Sequence, residues 1–245
     1  MAGIFHVSPP DGNHYVHLGG NEALLLDMDL SKRQVKENRI IDAAIEVLAE
    51  TSFQNAKIED IAKAAGITKV TLYSYFDSKE NLYLAIIYRA FQALTQVFYA
   101  TIDQHQESTG LESTKAIFAS FFNFCEKNFL FSEAILDYFS LIRNLSRNQN
   151  GSTPNVAKSS YFNRIQDLQN LPLKLTVKEM ERGKLDGSVR PDIDCMLHTL
   201  QGWTMVVGYI KLLSATGKNE APLLNVNLKS LKSLSLSFAE KALAN

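Results

Sequence analysis

Apolar residues spaced as on a helix are the feature that most constrains the fold, and this spacing runs from Ser31 almost to the end of the chain. Ile41, Ala44, Ile45 and Leu48 stand at i, i+3, i+4 and i+7, which predicts an amphipathic first helix. No segment shows the alternation of apolar and polar residues that marks a half-buried strand, and no internal repeat stands out. The sequence therefore predicts an all-α protein.

The same periodicity and its interruptions predict about nine helices. Asp77 and Glu80 have the spacing of a capping box, with Asp77 as the cap, and they open the longest helix. The predicted helices span about 31–50, 58–65, 69–75, 78–105, 111–128, 130–145, 157–183, 192–215 and 225–243.

Residues 1–30 differ from the rest because they have no helical period and are rich in glycine, proline and histidine. We expect them to form a flexible extension. Met28 lies just before the helical sequence and would be a natural translation start, so residues 1–27 are expected to be either an upstream addition or a dispensable arm. The histidines of this segment lack a scaffold that would fix a metal geometry, and we predict no metal site.

Composition excludes several classes of protein. The chain has 25 basic and 26 acidic residues, so a basic surface alone, as in histones, does not carry nucleic-acid binding. Cys125 and Cys195 lack CxxC partners, which argues against a structural zinc site or a disulfide framework and favours a cytoplasmic location. No apolar run reaches the roughly 20 residues needed to cross a bilayer, so no membrane partner is expected.

Two short predicted helices, 58–65 and 69–75, are joined by a tight turn. Gly66 is a typical helix stop, and Thr68 is a suitable N-cap for the second helix. Two short helices joined in this way and packed on a longer first helix are typical of a helix-turn-helix. The second helix of such a unit fits the major groove of DNA, where its first residues reach the base edges.

The residues of the second helix divide into two faces. Leu72 and Phe76 have the spacing of inward-facing core residues. Valine and tyrosine are unusual on a solvated face but suit DNA, because valine packs on a thymine methyl group and tyrosine donates to phosphate. The residues left facing outward are Lys69, Val70, Thr71, Tyr73 and Tyr75.

Three segments make the sequence recognisable: RIIDAA at 39–44, IEDIAKAAGI at 58–67 and TLYSYFDSKENL at 71–82. Together they closely resemble the DNA-binding domain of TetR-family transcriptional regulators. The resemblance covers about 50 residues, roughly a fifth of the chain, at fixed spacing across several helices. It implies a helix-turn-helix DNA-binding domain at 31–83, followed at 84–245 by a helical domain that binds a small ligand and forms a homodimer.

The resemblance also assigns roles to residues. Thr68, Lys69, Val70 and Thr71 would face the bases or the adjacent backbone. Tyr73 and Tyr75 would contact phosphates, and so would Lys79, with help from the positive end of the long helix.

Three residues depart from the family pattern. Ser52 and Val70 each stand where glycine is common, so the first turn and the base preference are expected to differ. Lys57 replaces a serine or threonine N-cap, at a cost on the order of 1 kcal/mol, although its side chain gains reach toward a phosphate.

The last two predicted helices suit a partner subunit, as the resemblance implies. Leu224, Leu228, Leu231, Phe238 and Ala242 form one apolar stripe on the final helix. The preceding helix, from about 192 to 215, is apolar nearly all round. Two helix-turn-helix units in a homodimer read a palindromic operator, with half-sites one DNA turn apart.

Aromatic, methionine and isolated polar residues in the second domain predict a cavity for an apolar or aromatic ligand. The alternative for each of them is an ordinary place in the core. The predicted ligand-binding residues are Phe121, Cys125, Tyr138, Phe139, Arg143, Tyr161, Met180, His198, Gln201, Trp203 and Met205.

These observations predict a ligand-controlled, sequence-specific DNA-binding regulator, with repression as the commoner outcome in such proteins. No nucleophile elbow, phosphate loop, HExxH or paired catalytic motif is present, so neither an enzyme nor a cofactor is expected. The alternative is a helical interaction protein that has lost specific DNA reading through Ser52, Val70 and Lys57.

Overall fold

The structure is a computed structural model that describes residues 31–147, 159–216 and 227–245 and two short strands. The strands, β1 (Val16–His17) and β2 (Ala23–Leu24), pair antiparallel, with Val16 opposite Leu24. The rest of the predicted flexible extension at 1–30 lies outside the described residues. This strand pair was not expected from the sequence.

The prediction of an all-α fold is confirmed, since apart from this short strand pair the described residues form ten helices. Along the chain these are α1 (Lys32–Glu50), α2 (Ile58–Ala64), α3 (Lys69–Tyr73), α4 (Lys79–Gln104), α5 (Gly110–Lys127), α6 (Phe129–Arg147), α7 (Ser160–Leu168), α8 (Leu171–Asp186), α9 (Cys195–Thr216) and α10 (Leu228–Leu243).

The predicted helix at 157–183 is two helices. α7 ends at Leu168, and α8 starts at Leu171 with Pro172 in its first turn. Proline has no amide hydrogen and clashes with the preceding turn of a helix, so it is tolerated at a helix start but not in an interior. The apolar periodicity continues across the break, whereas the backbone does not.

The start of α4 also differs from the prediction. The amide of Asn81 donates to Ser78 Oγ at 3.1 Å, and α4 begins at Lys79. Ser78 therefore caps the helix, and Asp77, the predicted cap, lies one residue outside it and is exposed.

By its internal contacts the chain divides into two compact units. Unit 1 comprises residues 1–92 and 137–167, and unit 2 comprises 93–136 and 168–245. The helices α4 and α6 each contribute residues to both units. The functional division at residues 83 and 84 stays a prediction.

Unit 1 contains the helix-turn-helix. α1 packs on α2, and α2 packs on α3. The apolar face of α1 is buried at Ile41, Ala44 and Leu48, as its periodicity predicts. Polar contacts add to this packing, since Arg89 of α4 pairs with Asp42 of α1 in an ion pair that is largely buried on the arginine side.

Unit 2 is held by close backbone approaches between its helices. A Cβ atom at Gly110 would lie 2.1 Å from the backbone nitrogen of Gly183, so this close approach of α5 to α8 requires glycine at position 110. A Cβ at Gly202 of α9 would lie 2.1 Å from the Phe118 ring of α5.

Within the described ranges, no helix is long and apolar enough to cross a membrane. The same part of the chain holds no group of three or more histidine, cysteine, aspartate or glutamate side chains arranged to bind a metal ion. The histidines at positions 6 and 14 lie outside the described residues.

Candidate nucleic-acid interface

The turn between α2 and α3 depends on Gly66. Its φ of 68° lies in the left-handed region that side chains with a Cβ rarely adopt. The Gly66 amide donates to the carbonyl of Lys63 at 3.1 Å, and the Ile67 amide donates to the carbonyl of Ala62 at 2.9 Å. These bonds satisfy the last carbonyls of α2 and end it where the sequence predicts.

The start of α3 is capped by Thr68, as predicted, because Thr68 Oγ1 accepts a hydrogen bond from the Thr71 amide at 3.1 Å. Leu72 and Phe76 are fully buried and anchor the helix on the core of unit 1. α3 is shorter than predicted and ends at Tyr73, because Ser74 Oγ donates to the carbonyl of Thr71 at 2.6 Å and closes the last turn.

The outward face of α3 is unusually apolar. The Val70 side chain is 80% exposed and Tyr73 is 40% exposed, beside the exposed Lys69. Thr71 and Tyr75 are only half-buried, so they face outward less than predicted. An exposed valine at the start of a five-residue helix makes no favourable contact with water. In a DNA groove the same side chain can pack on a thymine methyl group.

Lys69 pairs with Glu59 of α2, a residue that sequence reasoning missed. Lys69 Nζ lies 2.5 Å from Glu59 Oε1, and it lies 5.9 Å from the centre of the Tyr73 ring. The hydrogen bond from Lys69 holds the pKa of Glu59 below its usual value, so this carboxylate is ionised at neutral pH.

Arg33 is a second residue that sequence reasoning missed. Its guanidinium lies over the Tyr75 ring at 5.0 Å and donates to the carbonyl of Ser74 at 3.3 Å. It thereby connects the first turn of α1 to the residues that immediately follow α3. The only sequence signal is the basic residues at the start of α1, including the exposed Lys32 and Lys36.

Lys79 stands at the start of α4, as its predicted phosphate role requires. Its ammonium group lies 4.7 Å from the centre of the Phe53 ring, and that ring stacks on Tyr83 at 4.3 Å. Phe53 follows Ser52, whose carbonyl accepts from the Ala56 amide at 2.9 Å and shapes the turn after α1.

Lys57 occupies the N-cap position of α2 and makes no side-chain capping bond. The predicted loss of this cap is therefore confirmed. The Lys57 side chain is exposed, as a phosphate contact would require.

Four of the predicted ligand-binding residues lie in unit 1. Tyr138 is fully buried against the rings of Phe91 and Phe162, and burial raises its pKa to about 12. Tyr161 is buried and donates to Glu37 of α1 at 2.8 Å. The other two, Phe139 and Arg143, are exposed.

The other seven predicted ligand-binding residues lie in unit 2. The structure brings together Phe121 and Trp203, whose ring centres are 4.7 Å apart. Met180 and Cys125 are fully buried, and burial raises the pKa of the Cys125 thiol to about 12, so this cysteine is not a reactive thiolate. The remaining three are His198 and Met205, which are half-buried, and Gln201, which is exposed.

The last two helices expose apolar side chains. α9 and α10 pack on each other. The exposed apolar residues on these helices are Met196, Leu197 and Leu200 of α9 and Leu234 and Phe238 of α10.

Comparison with known proteins agrees with this geometry. The sequence profile described as "Bacterial regulatory proteins, tetR family" matches residues 40–86. The biofilm operon icaADBC HTH-type negative transcriptional regulator IcaR of Staphylococcus aureus is 23% identical over 200 residues, which cover 79% of this chain and 99% of IcaR.

Solved structures share the fold. The ketosteroid transcriptional regulator KstR2 of Mycobacterium tuberculosis aligns with a TM-score of 0.60 and 18% identity, over 86% of this chain and 95% of KstR2. The transcriptional regulator FadR of Bacillus subtilis, in complex with stearoyl-CoA, aligns with a TM-score of 0.57 and 18% identity, over 83% of this chain and 97% of FadR.

A helix-turn-helix with an exposed second helix, followed by further helices, is an arrangement found in DNA-binding transcriptional regulators. The chain is similar to TetR-family regulators, through the profile match at residues 40–86 and the similarity to IcaR. The proteins compared above, IcaR, KstR2 and FadR, are each described as transcriptional regulators.

Proposed function

We propose that this protein is a sequence-specific repressor that binds a palindromic operator as a homodimer and is controlled by a small apolar or aromatic molecule. The observation that carries the proposal is the outward face of α3, where the Val70 side chain is 80% exposed beside Tyr73 and Lys69. In this proposal residues 31–83 bind DNA in the cytoplasm, and residues 84–245 bind the ligand and form the dimer.

Repression is supported by the similarity to IcaR, which is a negative transcriptional regulator. A homodimer is supported by the exposed leucines of α9 and α10, since a large apolar patch on a soluble protein usually marks an interface. The same two helices were expected to pair from their sequence.

An apolar effector is supported by the aromatic composition of the helices beyond residue 84. FadR, which has the same fold, is complexed with stearoyl-CoA. The predicted contacts include Tyr138 and Phe121, each in an aromatic cluster of its own unit.

Regulation then follows from a two-state equilibrium. α4 begins three residues after Phe76 and continues to Gln104, so a ligand that prefers one position of this helix also selects one spacing of the two recognition helices. DNA affinity changes only as far as the ligand prefers one state over the other.

The test is selection of binding sites from a random duplex DNA pool with the purified protein, with Tyr73→Ala and with Leu185→Ala. Leu185 is 90% exposed on α8 and serves as a control for loss of an exposed apolar side chain. We expect the wild type and Leu185→Ala to enrich a palindrome. We expect Tyr73→Ala to bind that site with about tenfold or more lower affinity, because it loses a charge-assisted phosphate contact.

Absence of enrichment over a range of salt concentrations would favour the alternative, a helical interaction protein that has lost DNA reading. For a protein that binds DNA through its phosphates, the logarithm of the binding constant falls linearly with the logarithm of the salt concentration, because binding releases counterions. A flat salt dependence would therefore contradict the proposal.

A further inference from the structure

An ion pair joins the two helices of the helix-turn-helix on their exposed side. Glu59 of α2 and Lys69 of α3 are 2.5 Å apart, and both side chains are more than half exposed, at 57% and 51%. The turn at Gly66 brings these residues together although they are ten positions apart in the sequence. A carboxylate and an ammonium group therefore stand side by side at the first residue of the recognition helix.

We propose that Glu59 is a specificity-determining residue, and that Glu59 and Lys69 together read one C·G base pair. The inference rests on the proposed DNA-binding function. In the major groove a C·G pair presents the N4 amino donor of cytosine next to the N7 and O6 acceptors of guanine. Glutamate accepts from cytosine N4 and lysine donates to guanine, so the pair on the protein matches the pair on the DNA.

The same carboxylate rejects other sequences. Where the base opposite Glu59 presents only acceptors, as guanine and thymine do, Glu59 either keeps Lys69 from the DNA or is left without a partner close to the phosphates. An unpaired charge that repels the wrong partner is a common source of specificity. Glu59 is therefore expected to lower the affinity for arbitrary DNA without lowering the affinity for the operator.

The experiment uses the full chain with Glu59→Ala, since alanine removes the carboxylate and is well tolerated on an exposed helix face. We expect the preference for C·G at one position of each half-site to disappear from the selected sites. We also expect affinity for a scrambled duplex to rise about threefold to tenfold, while affinity for the operator does not rise.

Asp60→Ala is the matched control. Asp60 is the next residue on α2, carries the same charge and is exposed, and within the described ranges of the chain it forms no ion pair. Its removal changes the overall charge equally, so it raises affinity for the operator and for the scrambled duplex by the same factor. The double variant Glu59→Ala with Lys69→Ala completes a double-mutant cycle. In this cycle we expect Glu59→Ala to change DNA affinity less when Lys69 is absent.

Each outcome decides the inference. An unchanged C·G preference in Glu59→Ala, or equal changes in Glu59→Ala and Asp60→Ala, overturns it while DNA binding by the wild type stands. Failure of the wild type to enrich any site removes the proposed function, and this inference with it.

Discussion

At the scale of single residues, two buried tyrosines of unit 1 differ in one hydrogen bond. The Tyr161 hydroxyl donates to Glu37, whereas the fully buried Tyr138 hydroxyl has no partner among the described residues. A buried hydroxyl without a partner costs about 1–3 kcal/mol, and a satisfied one contributes about 1 kcal/mol. Only the three-dimensional packing separates the two, since both lie on apolar helix faces.

We therefore predict that Tyr138→Phe leaves the free energy of unfolding unchanged or raises it by about 1 kcal/mol. Tyr161→Phe, the matched control, lowers it by about 1 kcal/mol. Urea denaturation followed by circular dichroism measures both changes. A loss of more than about 1 kcal/mol in Tyr138→Phe would mean that its hydroxyl is hydrogen-bonded in the folded protein.

At the scale of single helices, the start of α2 lacks a side-chain cap. Lys57 has the extended backbone of an N-cap, with φ −102° and ψ 141°, but its side chain accepts no hydrogen bond. The Lys57→Ser variant supplies the missing acceptor and is predicted to raise the free energy of unfolding by about 1 kcal/mol.

The same substitution tests the phosphate role of Lys57. We expect Lys57→Ser to bind the operator more weakly and to lower the salt slope by about one per half-site, because one cation is lost. Lys63→Ser, in the last turn of the same helix, is the control. It has no cap to gain, so it is predicted to lower stability by a few tenths of a kcal/mol. A stability gain at both positions would contradict the capping argument.

The helices and their ends show which features of the structure can be predicted from the sequence. The apolar period of α1, the stop at Gly66 and the cap at Thr68 are local, and all three were predicted correctly. Pro172 was a sequence signal for a helix start, but the apolar period continues across it, so a single helix was predicted. The contact Glu59–Lys69 joins α2 to α3, and Arg33–Tyr75 joins α1 to the residues just after α3. Neither contact is local in the sequence, so neither could be predicted from a sequence pattern.

At the scale of the whole molecule, the apolar side chains left exposed on α9 and α10 are the main argument for a second subunit. Leu197 is 63% exposed and Phe238 is 54% exposed. Burying an apolar side chain of this size contributes about 1.5–3 kcal/mol, and placing an unpaired charge there costs more. A repressor that reads a palindrome gains affinity only when both recognition helices belong to one particle.

Leu197→Glu and Phe238→Glu are therefore predicted to weaken the dimer by about a hundredfold or more and to shift the protein to monomer in analytical ultracentrifugation. Operator affinity falls with them, although both residues lie far along the chain from the recognition helix. Leu185→Glu, at a side chain 90% exposed on α8, keeps the wild-type oligomeric state. A dimer that survives both substitutions would place the subunit contact elsewhere, and the exposed side chains of Leu197 and Phe238 would then be available to another partner.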